Sequence, residues 1–163
     1  MKKIPLTQGK FALVDDEDYD RLVAMGKWFI NAYGYAVKSK RRRKPDGKWT
    51  NDVIFMHRLI MDAPSGMCVD HIKFDRLDNR KTNLRLCTRT ENNRNVGLSK
   101  NNTTGYKGVF FMKSRGKFVA QITVARKNMH LGYFTCSVDA AKAYNFAAEK
   151  YHGDFAQLNQ IPA

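Results

Sequence analysis

The stretch that decides the fold runs from Met67 to Asn95 and reads MCVDHIKFDRLDNRKTNLRLCTRTENNRN. A short apolar run ends in the pair Asp70-His71, and a polar loop follows. Residues 83–88 then alternate between polar and apolar side chains, as a half-buried strand does. Residues 88–91, TRTE, have the pattern of a capping box and predict a short helix from Thr90 to about Asn95. The predicted order is strand, loop, strand and helix.

The polar side chains of this stretch suit the hydrolysis of a phosphodiester. That reaction needs a base for the attacking water and positive charge to meet the phosphate and the departing oxygen. The imidazole of His71 can act as a base near neutral pH. Asp70 offers a carboxylate oxygen and Asn92 a carbonyl oxygen, which are the ligands that Mg²⁺ takes. The stretch therefore predicts a one-metal site, provided that the first strand bends or ends at Asp70-His71 so that both side chains reach it.

Three runs in this stretch together resemble the HNH endonuclease family, and its phage-type and homing endonucleases in particular. These runs are Val69 to Ile72, Leu77 to Arg85, and Glu91 to Asn95. The resemblance implies a ββα-metal fold in a metal-dependent DNA endonuclease or nickase.

The same resemblance assigns roles to individual residues. His71 would be the general base, Asp70 a metal ligand, and Asn83 the residue that braces the loop and orients His71. The spacing, twelve residues from His71 to Asn83 and nine more to Asn92, favours Asn92 as the second ligand, with Asn93 as the alternative. An asparagine in place of the family's last histidine favours one Mg²⁺ or Mn²⁺ ion over zinc.

The chain is strongly basic, which indicates a polyanionic partner. It has 29 Lys and Arg residues against 15 Asp and Glu residues, a formal net charge of +14. The excess is spread over most of the chain and suits a long ligand such as double-stranded DNA. The three widely spaced cysteines predict no disulfide and a reducing compartment. We find neither a signal peptide nor an apolar run of about 20 residues, so we expect no membrane span and a cytoplasmic location in a bacterium or phage-infected cell.

The N-terminal stretch, residues 1–55, predicts a small α+β subdomain of the nuclease. Phe11–Val14 predicts a strand, and the acidic run from Asp15 predicts a helix start, with Gly26 as its stop. Residues 33–38 and 49–55 predict two more strands. The segment between them, Arg41 to Gly47, predicts a basic turn in which Arg41, Arg42 and Arg43 contact phosphate.

The C-terminal stretch predicts a three-stranded antiparallel sheet and a helix. We expect strands at 106–110, 117–124 and 129–134, turns at 114–116 and 126–128, and a helix over 137–151. Over residues 104–159 the chain resembles the AP2/ERF DNA-binding domain, through Tyr-Lys-Gly-Val, Gly-Lys-Phe-Val-Ala-x-Ile, Leu-Gly-x-Phe, Asp-Ala-Ala-x-Ala-Tyr and Leu-Asn. That resemblance implies a sheet that lies in the major groove.

Several base-reading positions depart from that family, so its specificity does not transfer. Phe110 occupies a position where an arginine is usual in that family. Thr123 lies near another arginine position, and His130 lies near a tryptophan position. We expect Phe110, Phe118 and Phe134 to belong to the core.

The sequence thus predicts an α+β protein with an N-terminal subdomain (1–55), a catalytic segment (56–96), a linker (97–105) and a DNA-binding domain (106–159). It would act as a monomer on double-stranded DNA, with no small-molecule cofactor. A non-catalytic DNA-binding regulator and an RNA-binding or RNA-cutting protein remain as alternatives. The predicted DNA contacts are basic or polar side chains near the site or on the sheet: Arg41, Arg42, Arg43, Arg80, Arg89, Arg94, Lys107, Lys113, Arg115, Lys117, Gln121, Thr123 and Arg126.

Overall fold

A computed structural model describes residues 1–162. The chain divides into two compact units, one from Met1 to Arg89 and one from Thr90 onward. Both units combine short antiparallel sheets with helices, which agrees with the predicted mixed α and β composition. Within residues 1–162, no helix is both long and apolar enough to cross a membrane.

The first unit contains three small antiparallel sheets, whose strand orders are β1-β2, β3-β4-β5 and β6-β7. Its elements in chain order are β1 (Lys2–Pro5), β2 (Phe11–Val14), α1 (Asp16–Ala24), β3 (Phe29–Ile30), β4 (Ala36–Arg43), β5 (Trp49–Phe55), α2 (Met56–Ile60), β6 (Cys68–His71) and β7 (Leu84–Cys87).

Helix α1 forms where the acidic run predicted it, because carboxylates in a first turn offset the unpaired amides there. It follows Asp15 directly, and its buried Leu22 joins Val14, Trp28 and Met56 in the core of the first unit. The indole nitrogen of Trp28 donates to the carbonyl oxygen of Leu22 at 2.9 Å, which fixes the chain just after the helix.

The predicted basic turn at 41–47 begins too early. Strand β4 continues through Arg43, which pairs with Trp49 of β5, so that all three arginines lie on the strand. The turn itself starts at Lys44, and Gly47 adopts the positive φ of +81° that it needs. Cross-strand pairing therefore extends to the Pro-Asp-Gly segment, and the arginines alternate between the two faces of the hairpin.

Strands β6 and β7 bring Asp70, His71 and Asn83 of the predicted site to one end of a two-stranded sheet. Asp70 pairs with Arg85, and His71 pairs with Leu84. Strand β6 ends at His71, as a shared site requires. Helix α3 (Arg89–Arg94) follows β7, one residue away from its predicted bounds at each end.

The second unit contains a three-stranded sheet and one long helix. Its elements after α3 are β8 (Val109–Met112), β9 (Lys117–Val124), β10 (Lys127–Phe134) and α4 (Ser137–His152). The strand order is β10-β9-β8, and α4 packs against the sheet. Gly108 permits this packing, because a Cβ there would lie 2.1 Å from Cδ2 of Tyr144.

Three predictions for this unit need correction. The first strand starts at Val109 and not at Tyr106. The turn between β9 and β10 consists of Ala125 and Arg126, both at positive φ, one residue before its predicted start. Phe110 is not in the core: it is 38% exposed, because Val109 is buried on the helix side of the sheet and its neighbour points the other way. Phe118 and Phe134 pack against the core as expected.

Candidate active site

The end of β6 holds Asp70 and His71 in a buried position, with exposed fractions of 6% and 5%. Arg85, directly opposite on β7, donates to Oδ2 of Asp70 from Nε at 2.8 Å and from a terminal nitrogen at 2.7 Å. Because Asp70 and Arg85 are a cross-strand pair, the sheet itself sets this contact. The carboxylate is thus held in one orientation beside His71.

Asn83 fastens the loop that follows His71. Its Oδ1 accepts a hydrogen bond from the backbone nitrogen of Lys73 at 2.9 Å. Its Nδ2 donates to the carbonyl oxygens of Asp78 at 2.8 Å and Asp75 at 3.3 Å. Its own carbonyl oxygen accepts from the nitrogen of Ile72. A buried asparagine therefore connects both ends of the loop, which is the contact pattern that the predicted bracing role requires.

Burial favours the neutral form of His71. It lowers the pKa of His71 below its usual value of 6.5, and the side chain of Asn79 and the carboxylate of Asp70 oppose this shift. Nε2 of His71 is buried and makes no hydrogen bond. At neutral pH the imidazole is therefore in the form that can accept a proton.

An aromatic cluster surrounds the His71 ring. His57 packs edge-on against it with a centroid distance of 5.1 Å, and Tyr35 lies 5.8 Å away. Phe55 contacts both His57 and Tyr35. Burial, with smaller effects of His71 and Arg58, lowers the pKa of His57 to about 3, so this ring is neutral and forms a wall of the site. Its burial, at 7% exposed, favours a structural role for His57.

Asn79 lies in the loop that follows His71 and is fully buried. Its backbone nitrogen donates to the carbonyl oxygen of Leu13 on β2 at 2.8 Å, and its Nδ2 donates to Leu77 at 3.1 Å. Its side chain raises the pKa of His71 against the effect of burial, although Oδ1 makes no hydrogen bond. The sequence holds no local signal for this, because the loop docks on a strand that is 66 residues away.

Several arginines near the site are engaged within the protein. Arg58 donates to three carbonyl oxygens, those of Met67, Ala63 and Pro64. Arg80 forms a two-point contact with the buried carboxylate of Asp78 at 2.7 and 2.6 Å. These side chains stabilise loops of the first unit, so their charge is already partly offset.

The remaining predicted site residues are mostly exposed. Asn92 lies half-buried on α3, and the alternative ligand Asn93 is exposed. Arg80, Arg94, Lys107 and Gln121 are half-buried. The other predicted DNA contacts are exposed: Arg41, Arg42, Arg43, Arg89, Lys113, Arg115, Lys117, Thr123 and Arg126.

Two of these residues have strong partners of their own. Lys107 donates from Nζ to the carbonyl oxygens of Arg94 at 2.6 Å and Val96 at 2.5 Å. Burial lowers the pKa of Lys107 to about 8. Arg42 donates from Nε to the carboxylate of Asp52 at 2.6 Å. Both cations are thus less available to a phosphate than their sequence positions indicated.

Comparison with known proteins adds independent information on this site. A family model described as HNH endonuclease matches residues 55–94, the segment that contains α2, β6, β7 and α3. An uncharacterized HNH endonuclease of Acanthamoeba polyphaga mimivirus is 30% identical over 156 residues, which cover 94% of this chain and 77% of the relative. This chain belongs to the HNH endonuclease family. As an HNH endonuclease it is a nuclease, which confirms the predicted enzyme class.

A second relative matches a shorter part of this chain. Protein 3.8 of Escherichia phage T7 is 32% identical over 95 residues, which are 58% of this chain and 78% of the relative. Both relatives come from viruses, in agreement with the expected viral association.

Proposed function

We propose that this nuclease is a metal-dependent DNA endonuclease or nickase that uses one divalent cation, Mg²⁺ or Mn²⁺. The observation that supports this best is the placement of His71. It stands at the end of a strand, buried in the neutral form, beside the oriented carboxylate of Asp70 and at the start of a loop that Asn83 fastens. A base held in this way is suited to take a proton from a water molecule that attacks phosphorus.

The oxygen donors of the proposed site fit a hard cation. Asp70 would supply a carboxylate oxygen and Asn92 an amide oxygen, with water and phosphate oxygens in the other positions, as is usual for Mg²⁺. No group of three or more His, Cys, Asp and Glu side chains that could hold a metal occurs within residues 1–162, which disfavours a zinc-type cage. A carboxylate has about four lone-pair sites, so Asp70 can accept from Arg85 and also bind an ion. A cation there would meet the charge of the phosphate and of the departing oxygen.

The proposed catalytic segment, residues 56–96, would form a ββα-metal module of the phage and homing endonuclease type. Residues 106–159 would form an AP2/ERF-like module that binds duplex DNA, joined to it by residues 97–105. Exposed cations occur on both units. Such a spread of positive charge suits a long anionic substrate better than a small acidic one. We expect a monomer that acts in the cytoplasm of an infected cell, without a small-molecule cofactor.

A plasmid-nicking assay tests the proposal. The full chain should convert supercoiled DNA to nicked or linear DNA with Mg²⁺ or Mn²⁺ and not with EDTA. His71→Ala should lower the cutting rate by at least about 100-fold, the usual scale for a general base, with little change in DNA affinity. Cutting that persists in His71→Ala would show that another group is the base.

The metal ligands are tested by a matched pair of variants. Asp70→Asn should weaken Mn²⁺ binding, measured by calorimetry on the full chain, and should abolish cutting. Asp139→Asn changes an exposed carboxylate on α4 in the same way and should leave both unaltered. Equal Mn²⁺ affinity in the two variants would exclude Asp70 as a ligand.

A further inference from the structure

The sheet of the second unit has one face against α4 and an opposite face on which Phe110 and Tyr133 are exposed. Ala120 and Ile122 of β9 pack toward α4, so the alternate residues of this strand point away from the helix. We call the side opposite α4 the outer face. Its members on the three strands are Phe110, Lys117, Val119, Gln121, Thr123 and Tyr133, together with the cross-strand partners Met112, Asn128 and His130.

An apolar row crosses the middle of the outer face. Val119 pairs with Phe110 on one side and with Tyr133 on the other. The two flanking rings are 38% and 42% exposed, whereas Val119 beneath them is 2% exposed. The guanidinium of Arg115 lies 4.8 Å from the centre of the Tyr133 ring, which holds the phenol in place. Two large rings thus stand exposed and fixed on a flat surface.

Charge surrounds this row and indicates the kind of partner. The segment between Glu91 and Asp139 contains eight Lys and Arg residues and no acidic residue. Lys113, Arg115 and Lys117 lie at one end of the sheet, and Arg126 lies in the turn at the other end, whereas Lys127 pairs with Val124 on the helix side. The middle carries rings, the amide of Gln121 and the imidazole of His130, whose ring centre lies 4.6 Å from that of Tyr133, and the hydroxyl of Thr123 lies nearer the turn. Cations at the ends with apolar and amide groups between them match a groove that is bordered by phosphates.

We propose that the outer face recognises A·T-rich duplex DNA in the major groove, with Phe110 and Tyr133 against thymine methyl groups and Gln121 on adenine. This rests on the proposed DNA-binding function and adds its sequence preference. The thymine methyl is the apolar group of the major groove, and a glutamine amide can pair with N6 and N7 of adenine. Guanine is most often read by arginine or lysine, and the central row carries neither.

The dimensions of the sheet agree with this partner. Neighbouring strands lie about 4.8 Å apart, so the axes of β8 and β10 are separated by about 10 Å. The major groove is about 12 Å wide. Thr123 donates to Oδ1 of Asn128 at 2.7 Å across the strand pair, which leaves the Asn128 amide group as a donor at the end of the face.

The test uses full-length His71→Ala, so that bound DNA is not cut. A binding site is first selected from a randomised duplex library, and we expect a motif dominated by A·T pairs. Deoxyuridine then replaces thymidine within the motif, which removes only the methyl groups. Each methyl in contact with a ring should cost about fourfold in affinity, because one carbon of apolar contact is lost.

Variants locate the effect on the outer face. Phe110→Ala and Tyr133→Ala should bind the thymidine site more weakly and should no longer distinguish it from the deoxyuridine site. Phe146→Ala removes a ring on α4 that is 73% exposed and should retain the full discrimination. Circular dichroism of each variant checks that the fold is intact. The deoxyuridine comparison on the unaltered outer face decides the question even if one variant does not fold.

The outcomes separate this inference from the proposed function. Tight DNA binding with a G·C motif, or with no loss on deoxyuridine substitution, would overturn the inference and leave the nuclease proposal standing. Failure to bind any duplex would overturn the inference too, and the plasmid-nicking assay would then decide separately whether the chain cuts DNA. Loss of discrimination in Phe110→Ala or Tyr133→Ala, with retention in Phe146→Ala, would support it.

Discussion

Replacement of Asn83 by alanine should destabilise the first unit and impair cutting together. The substitution removes one hydrogen bond from the nitrogen of Lys73 and two to the carbonyl oxygens of Asp75 and Asp78. The bond to Asp75 is long, at 3.3 Å, so two strong bonds dominate the loss. Asn83 is 1% exposed, and water cannot readily replace it. Each unpaired group costs roughly 1–3 kcal/mol, which gives a loss of about 3–5 kcal/mol in unfolding free energy.

Urea unfolding followed by the fluorescence of buried Trp28 measures this loss. Asn51→Ala, an exposed asparagine on β5, is the control and should change the free energy by less than about 0.5 kcal/mol. Asn83→Asp keeps the acceptor for Lys73 but turns an oxygen toward two carbonyl oxygens, so it should be as unstable as the alanine variant. Nicking should fall in both variants even at temperatures where they remain folded. A loss below about 1 kcal/mol for Asn83→Ala would refute the bracing role.

Three further predictions concern other contacts. Gly108→Ala should prevent stable folding of the second unit, because a Cβ would lie 2.1 Å from Tyr144 and φ is +73°; a normal thermal transition would contradict the packing. Arg85→Ala should lose about 3 kcal/mol in urea unfolding, because the buried carboxylate of Asp70 loses its guanidinium partner, and a loss near zero would show that the pair is not stabilising. The third prediction concerns pH. His57 has a pKa of about 3 in the folded protein, below its ordinary value of 6.5. As the pH drops from about 6.5 toward 3, the unfolded chain therefore takes up the proton first, and the free energy of unfolding falls. His57→Phe should reduce this slope by up to about 1.4 kcal/mol per pH unit, and equal slopes in the two proteins would contradict the burial.

The sequence predicted β6, β7 and α3 well because their signals are local. The alternation, the capping box and the spacing from His71 to Asn92 all lie within the single stretch from Met67 to Asn95. The same holds for β9 and α4, where strict alternation and an apolar stripe mark the elements. The roles of Asp70, Asn92 and the DNA contacts stay predictions, whereas the family of the chain is established.

Predictions failed where distant parts of the chain decide the outcome. Phe110 was assigned to the core because it is aromatic, but the register set by Val109 turns it outward. Asn79 lies in the polar loop after His71, and this loop docks on β2 through Leu13, which buries its side chain. Neither register nor loop docking leaves a mark in the local sequence. Phe110 lies on the outer face and Asn79 in the loop after His71, so both residues affect the description of the proposed sites more than that of the fold.

The number of arginines near the catalytic segment overstates how many guanidinium groups are available to bind phosphate. Arg58, Arg80 and Arg85 all bind carbonyl or carboxylate oxygens within the first unit. Desolvation makes such contacts costly to exchange, so we expect these cations to keep their contacts within the first unit when DNA binds. The exposed cations at the ends of the outer face and on the β4–β5 hairpin, other than Arg42 with its partner Asp52, stay the predicted DNA contacts. Burial and hydrogen-bond partners thus identify which arginines are engaged within the protein, a distinction that net charge alone does not contain.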